Sequence, residues 1–173
     1  MKQVGDRVPQ VDFMTRQDGE WKTVSSDSIF SGKTVIVFAL PGAFTPTCST
    51  THLPGYLALA GELHEHGVDD IVCLSVNDGF VMNAWAADQK IDGEVRMVPD
   101  GSGHFTRGMG MAVDLDALGF GLRSWRYSML VEDGVIAALF AEDRNQPGDP
   151  FEVSDAMTMV KFLRHRNEDR IAV

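Results

Sequence analysis

Apolar and polar residues recur along this chain with a period that switches between two and three-to-four, the pattern of strands alternating with helices. Near the start, Val11-Asp-Phe13 and Trp21-Lys-Thr-Val24 flank a Gln17-Asp-Gly19 turn signal and predict a small β-hairpin. The run Thr34-Val-Ile-Val-Phe-Ala-Leu40 is continuously apolar and rich in β-branched and aromatic residues, as in a strand covered on both faces, and it stops at Pro41-Gly42. After a loop over 43–47, Leu53, Tyr56, Leu57, Ala60 and Leu63 fall at helical spacing with Gly67 as the stop. A second buried-type strand, Ile71-Val-Cys-Leu-Ser-Val76, leads through Asn77-Asp-Gly79 into a helix over 80–89. Residues 95–98 read as a further strand and 105–111 as a short helix. Segments 125–131 and 135–140 bracket Glu132-Asp-Gly134 as a hairpin. Ser154 reads as the N-cap of a last helix to about residue 166, with Ala156, Met159, Val160 and Leu163 on its apolar face.

Strands alternating with helices, then a hairpin and a closing helix, imply an α/β domain with a mixed central sheet flanked by helices, and a thioredoxin-like order fits best. No repeat, low-complexity tract or linker divides the chain, so residues 1–173 are expected to form one domain. With 44% hydrophobic and 23% charged residues the chain has the balance of a folded globule rather than a disordered one. Its net charge of −10 opposes phosphate backbones and anionic lipid, so neither nucleic acid nor a membrane surface is an expected partner. No apolar run approaches the roughly 20 residues of a membrane span. The N-terminus lacks a secretory apolar region, which leaves a cytoplasmic location as the expectation.

Two cysteines, Cys48 and Cys73, can supply neither a disulfide framework nor, alone, a four-ligand zinc site, so each is judged separately. Cys48 falls where the core strand, its Pro-bounded loop and the next helix meet. In a first helical turn, unpaired N–H groups and the positive end of the helix dipole stabilise a thiolate, making the sulfur a nucleophile; the alternative is a buried, inert thiol. Thr45, three residues earlier, carries a hydroxyl able to donate and accept near that sulfur, although threonine also serves as a plain loop or capping residue. Pro41 and Pro46 stiffen the loop. Cys73, inside an apolar strand, reads as inert. His52 lies four residues after Cys48 on the same side of the helix, where it either assists the thiolate as a cation or makes a structural hydrogen bond. His64 and His66 read as solvated, and no ligand cluster accompanies them, so no metal is implied.

The string Pro41-Gly-Ala-Phe-Thr45-Pro-Thr-Cys48 closely resembles the peroxiredoxin active-site pattern Pro-x-x-x-Thr/Ser-x-x-Cys. The longer PGAFTPTCSTTHLPGY is similar to the type-five subfamily, also called type II, and CLSVNDGFVMNAW and RYSMLVEDG extend the resemblance over the chain. The resemblance implies a thioredoxin-like fold in which Cys48, anionic and uncovered, attacks the O–O bond of hydrogen peroxide or an organic hydroperoxide and becomes a sulfenic acid. It implies that Thr45 holds peroxide and sulfur in line, that Pro41 shields the site, and that the amides of Thr47 and Cys48 bind the peroxide. Arg126 matches the arginine that the family brings to the sulfur from a distant strand. A guanidinium there stabilises a thiolate, donates to the leaving oxygen and keeps its charge. Arg123 is expected to be a surface or interface charge.

By the same resemblance the chain needs no metal or organic cofactor and forms a homodimer. Some type-five relatives carry a resolving cysteine before the last helix, yet residues 146–154 hold none, so a one-cysteine cycle with glutathione, glutaredoxin or thioredoxin as reductant is expected. Two other functions compete. A cysteine hydrolase or transferase would need His52 or His104 as base. A redox sensor or holdase would use Cys48 oxidation to change partners rather than clear peroxide.

Overall fold

A computed structural model describes residues 1–172. The chain begins with the hairpin β1 (Asp12–Gln17) and β2 (Glu20–Ser25), turned by Asp18 and Gly19, both at positive φ as a two-residue turn between twisted strands requires. A short helix α1 (Ser26–Phe30) follows, capped by the Ser25 side chain. Next come β3 (Thr34–Ala39), a π-helical turn (Cys48–His52), α2 (Leu53–Glu65), β4 (Asp70–Ser75), α3 (Gly79–Asp88), β5 (Arg96–Pro99) and α4 (His104–Met109). A small hairpin of β6 (Ala112–Asp114) and β7 (Leu122–Ser124) precedes β8 (Tyr127–Glu132), β9 (Val135–Ala141) and α5 (Ala156–Ile171).

Five strands form the central sheet in the order β5-β4-β3-β8-β9, with β3 parallel to β4 and antiparallel to β8. Side chains of β3 alternate between two cores. Ile36 and Phe38 pack with Leu53, Tyr56 and Leu63 of α2 and Met159 and Val160 of α5. Val35, Val37 and Ala39 pack with Phe13, Phe30, Phe105 and Met109 on the other face. Each such large side chain removed from water contributes about 1.5–3 kcal/mol, so the sheet held between two apolar layers is the rigid part of the molecule. This is the thioredoxin-like α/β fold, with the expected mixed sheet and N-terminal hairpin. Among the described residues no helix is long and apolar enough to cross a membrane.

Three local differences from the sequence reading have physical causes. Asp155, not Ser154, caps α5: its carboxylate accepts from the Thr158 N–H at 3.1 Å, while the Ser154 hydroxyl donates to Glu142. Helix α1 and the β6–β7 hairpin, of five and three residues per element, are too short to show a period. His64 and His66 are tied down rather than merely solvated, the first donating to the Val68 carbonyl at 2.7 Å and the second accepting from Asn167 at 2.8 Å.

The register positions the site. Ala39, the last residue of β3, pairs with Tyr127, the first of β8. Arg126 therefore arrives at the same end of the sheet from which the chain runs into Cys48, although 78 positions separate the two in sequence.

Candidate active site

The loop between β3 and Cys48 is braced from several directions. The Ala43 N–H donates to Asn77 Oδ1 at 3.0 Å, and Asn77 is itself held by the Ser75 hydroxyl at the end of β4. Phe44 turns the chain at φ 64°, a left-handed conformation uncommon outside glycine. Arg123 donates to the Pro41 carbonyl at 3.1 Å and to the Phe120 carbonyl at 3.1 Å, with its guanidinium 5.2 Å from the Phe120 ring centre. It is half-buried and braces the loop, a role that the reading of Arg123 as a surface or interface charge missed. The π-helical turn closes with the Leu53 N–H on the Cys48 carbonyl and is pinned by Trp85 of α3 and by Gln89, the residue that caps α3, both on Ser49.

Cys48 is the first residue of that turn and is fully buried, packed in the same core as Phe38, Tyr56 and Cys73. The expectation of an uncovered sulfur is thus corrected: the turn directs the side chain inward. Nearby lies a cavity of about 420 Å³ lined by Pro41, Thr45, Thr47 and Asp149 together with Leu118, Phe120 and Trp125. The amides of Thr47 and Cys48 have no backbone carbonyl partner among the described residues, as expected for the first positions of a helical segment. The Thr45 hydroxyl donates to the Gly42 carbonyl at 2.7 Å, so while that bond stands its remaining capacity is to accept.

Arg126 is the centre of the arrangement. Its side chain is 1% exposed and every nitrogen has a partner. Nη2 donates to Cys48 Sγ at 3.2 Å; Nε and Nη2 donate to the two oxygens of Asp149 at 3.0 and 2.7 Å; Nη1 lies 2.9 Å from His52 Nδ1. Burial works against the guanidinium charge, but the hydrogen bonds to Asp149 and the interaction with the Cys48 sulfur outweigh it and move its pKa further up. The cation is permanent.

His52 cannot be a second cation here. Its Nε2 lies 3.1 Å from the Ser154 carbonyl and so carries the proton, which leaves Nδ1 to accept from Arg126. Burial and the Arg126 charge both push its pKa well below the usual 6.5, against a smaller upward pull from the Ser154 bond. With both ring nitrogens engaged, His52 has no lone pair left to take a proton from Cys48, which removes the base a hydrolase would need on this helix. His104 is exposed and lines a different cavity, with Asp78 and Asp100. Tyr56 donates to the same Ser154 carbonyl at 3.2 Å, its pKa raised by burial. Cys73 is free and fully buried, and burial pushes its thiol pKa well up.

Over residues 3–160 the chain matches the family model described as Redoxin. It is 56% identical over 171 residues to "Hybrid peroxiredoxin hyPrx5" of Haemophilus influenzae, spanning 98% of this chain and 70% of that protein. The chain belongs to the peroxiredoxin family. A second relative, "Peroxiredoxin sll1621" of Synechocystis, is 52% identical across 92% of this chain and 90% of its own length. Among solved structures, reduced Prx3 of Vibrio vulnificus in complex with hydrogen peroxide superposes with a TM-score of 0.87 at 40% identity, covering 94% of this peroxiredoxin and 99% of that chain. The 1-Cys peroxiredoxin of Plasmodium falciparum gives a TM-score of 0.88 at 30% identity over 95% and 99%. Homology thus supports a thiol-dependent peroxidase, an oxidoreductase working through a cysteine sulfenic acid, and the relatives are drawn from several branches of the family.

In this peroxiredoxin the fold brings Cys48 and Arg126 into contact and sets Pro41, Thr45 and Thr47 around the adjoining cavity. The sequence reading did not single out Asp149 or Phe151, whose ring lies 5.7 Å from the Arg126 guanidinium. The one available signal was an acidic residue in a stretch without hydrophobic period.

Proposed function

We propose that this peroxiredoxin is of the type-five kind and reduces hydrogen peroxide and organic hydroperoxides in a one-cysteine cycle. Cys48 attacks as a thiolate, Arg126 and Thr45 act on the reacting atoms, and Pro41 and the Thr47 amide complete the peroxide site. The observation that carries this is the 3.2 Å contact between Arg126 Nη2 and Cys48 Sγ, with the guanidinium also held by two hydrogen bonds to Asp149 and one to His52. A charge-assisted hydrogen bond of this kind favours the anionic sulfur.

The Cys48 thiolate attacks the terminal, hydrogen-bearing oxygen of the hydroperoxide. The S–O bond forms as the O–O bond breaks, the other oxygen leaves with the bonding pair as hydroxide or alkoxide and takes a proton from solvent to give water or an alcohol, and the hydroxyl stays on sulfur, leaving Cys48 as a sulfenic acid. The Arg126 fork and the open amides of Thr47 and Cys48 are donors where negative charge moves onto oxygen. The Thr45 hydroxyl, already donating to Gly42, accepts from the peroxide and orients it. An external thiol then attacks the sulfenic acid and releases water, and a second thiol reduces the mixed disulfide. Cys73, buried with a raised pKa, is unsuited to that internal role, which supports glutathione with glutaredoxin, or thioredoxin, as the electron source. The homodimer implied by the family resemblance completes the reading.

The test is steady-state peroxide consumption with glutathione plus glutaredoxin against thioredoxin plus its reductase, in wild type, Cys48→Ser and Cys73→Ser. Thiol-dependent turnover lost only in Cys48→Ser is expected. Collapse in Cys73→Ser would replace the one-cysteine cycle by an internal disulfide. A single oxidation without turnover under either donor would make the protein a sensor.

A further inference from the structure

Glu142 is a charged side chain, 3% exposed, that the peroxidase reading does not use. It follows the last residue of β9, as Arg126 precedes the first of β8, and its N–H donates to the Arg126 carbonyl at 3.1 Å across the open end of that hairpin. Its carboxylate faces the other way along the chain. Oε1 accepts from the Glu152 N–H at 2.8 Å; Oε2 accepts from the N–H groups of Val153 at 3.0 Å and Ser154 at 2.8 Å and from the Ser154 hydroxyl at 2.6 Å. Three successive amides and a hydroxyl thus converge on one buried anion, a backbone nest occupied by the protein's own carboxylate.

What the nest holds in place is the wall behind the guanidinium. The segment closed by Glu142 carries Asp149, which fixes Nε and Nη2 of Arg126, and ends at the Ser154 carbonyl, which fixes His52 and through it Nη1. Two routes from the same carboxylate therefore meet on one side chain, whose backbone Glu142 also touches.

We propose that Glu142 is a positioning residue for peroxide reduction, holding residues 149–154 so that Arg126 presents Nη2 to Cys48. This rests on the assignment of Cys48 and Arg126 above. Glu142→Gln keeps the shape and one acceptor oxygen but removes the negative charge and sets an amide N–H₂ against an amide donor on the other side, so the nest is weakened. A shift of the guanidinium by a fraction of an ångström to 1 Å lowers the rate of Cys48 oxidation about 10- to 100-fold.

The experiment is a single-turnover measurement of Cys48 oxidation by hydrogen peroxide, followed by trapping the sulfenic acid and mass spectrometry, in reduced wild type, Glu142→Gln, Arg126→Lys and the double variant. Arg126→Lys is expected to lose about 100-fold or more, Glu142→Gln about 10- to 100-fold, and the double variant less than about threefold beyond Arg126→Lys alone. The non-additivity is the signature, because damage to the fold in general would lower the rate in both backgrounds. Equal losses from Glu142→Gln in both backgrounds, or no loss in wild type, would overturn the proposal. An undiminished rate in Arg126→Lys would instead overturn the catalytic assignment beneath it. Should Glu142→Gln not fold, Ser154→Ala removes one of the four donors; a smaller loss with the same non-additivity is expected, and additivity there overturns the proposal equally.

Discussion

Replacing His52 by glutamine tests the electrostatics of the site through stability, independently of catalysis. In the fold His52 is neutral, its pKa held well below 6.5 by burial and by the Arg126 charge. Unfolded, it regains the ordinary value and takes up a proton as the pH drops through about 6.5. Below that point the unfolded chain binds one more proton than the native one, so stability must fall with falling pH; the contribution is fully present above 6.5 and is lost toward the depressed folded value. If the folded imidazole stays neutral to pH 5, the loss is 2.303RT for each of the 1.5 pH units, or about 2 kcal/mol. Glutamine does not titrate. At pH 8, His52→Gln should be less stable than wild type by about 1.5–3 kcal/mol, because Arg126 loses an acceptor in a buried place. As the pH falls to 5 the two should converge by about 2 kcal/mol. Urea unfolding of both proteins at half-unit steps from pH 8 to pH 5 measures the difference and cancels the carboxylates and the other histidines. Curves that stay parallel within about 0.5 kcal/mol would mean that His52 takes its proton inside the fold, and that the acceptor role toward Arg126 is wrong.

Three further outcomes follow from the geometry. Thr45→Val removes the hydroxyl and its bond to the Gly42 carbonyl at a stability loss of about 1 kcal/mol, while the rate of Cys48 oxidation falls about 10- to 100-fold by peroxide kinetics. Cys73→Ala should leave glutathione- or thioredoxin-supported turnover within about twofold of wild type and lower unfolding free energy by about 1 kcal/mol, the value of a small buried group. Gly42→Ala places a Cβ 2.4 Å from Arg123 Nη1 and 3.2 Å from Thr45 Cγ2, so Arg123 swings off the Pro41 carbonyl and Thr45 is pressed aside. Turnover should drop several-fold with little change in melting temperature, and a fall in both together would show instead that the loop unfolds.

How far the sequence reached depended on whether a feature is local. The runs at 34–40 and 71–76 are apolar throughout because both faces of the sheet are covered, so β3 and β4 could be read from residue type alone. Cys48 and Thr45 lie in one short string with its own recognisable spacing. Arg126 was found only through its likeness to a family, since what brings it to Cys48 is the pairing of Ala39 with Tyr127, a register no local pattern displays. Asp149 and Glu142 escaped notice because 143–155 has no period; what those acids do depends on how that segment returns to the hairpin that precedes it. The charge of His52 was equally hidden. A histidine four residues after a cysteine reads either as a cation or as a structural hydrogen-bonding group, and the buried arginine donating to it decides for the second.

A hydroperoxide has only to bring two oxygen atoms to Cys48, whereas a tripeptide thiol or a redox protein must reach that sulfur with far more bulk. Since Cys48 offers no surface in the folded chain, the two halves of the proposed cycle are sorted by size. Because that sulfur offers no surface even to water, both reactants of the proposed cycle need the chain around Cys48 to open, the donor further than the oxidant. With donor in excess, reduction in that cycle then proceeds no faster than the wider opening. The maximal turnover is a ceiling set by the protein and shared by every donor, while the oxidative half continues to rise with peroxide concentration.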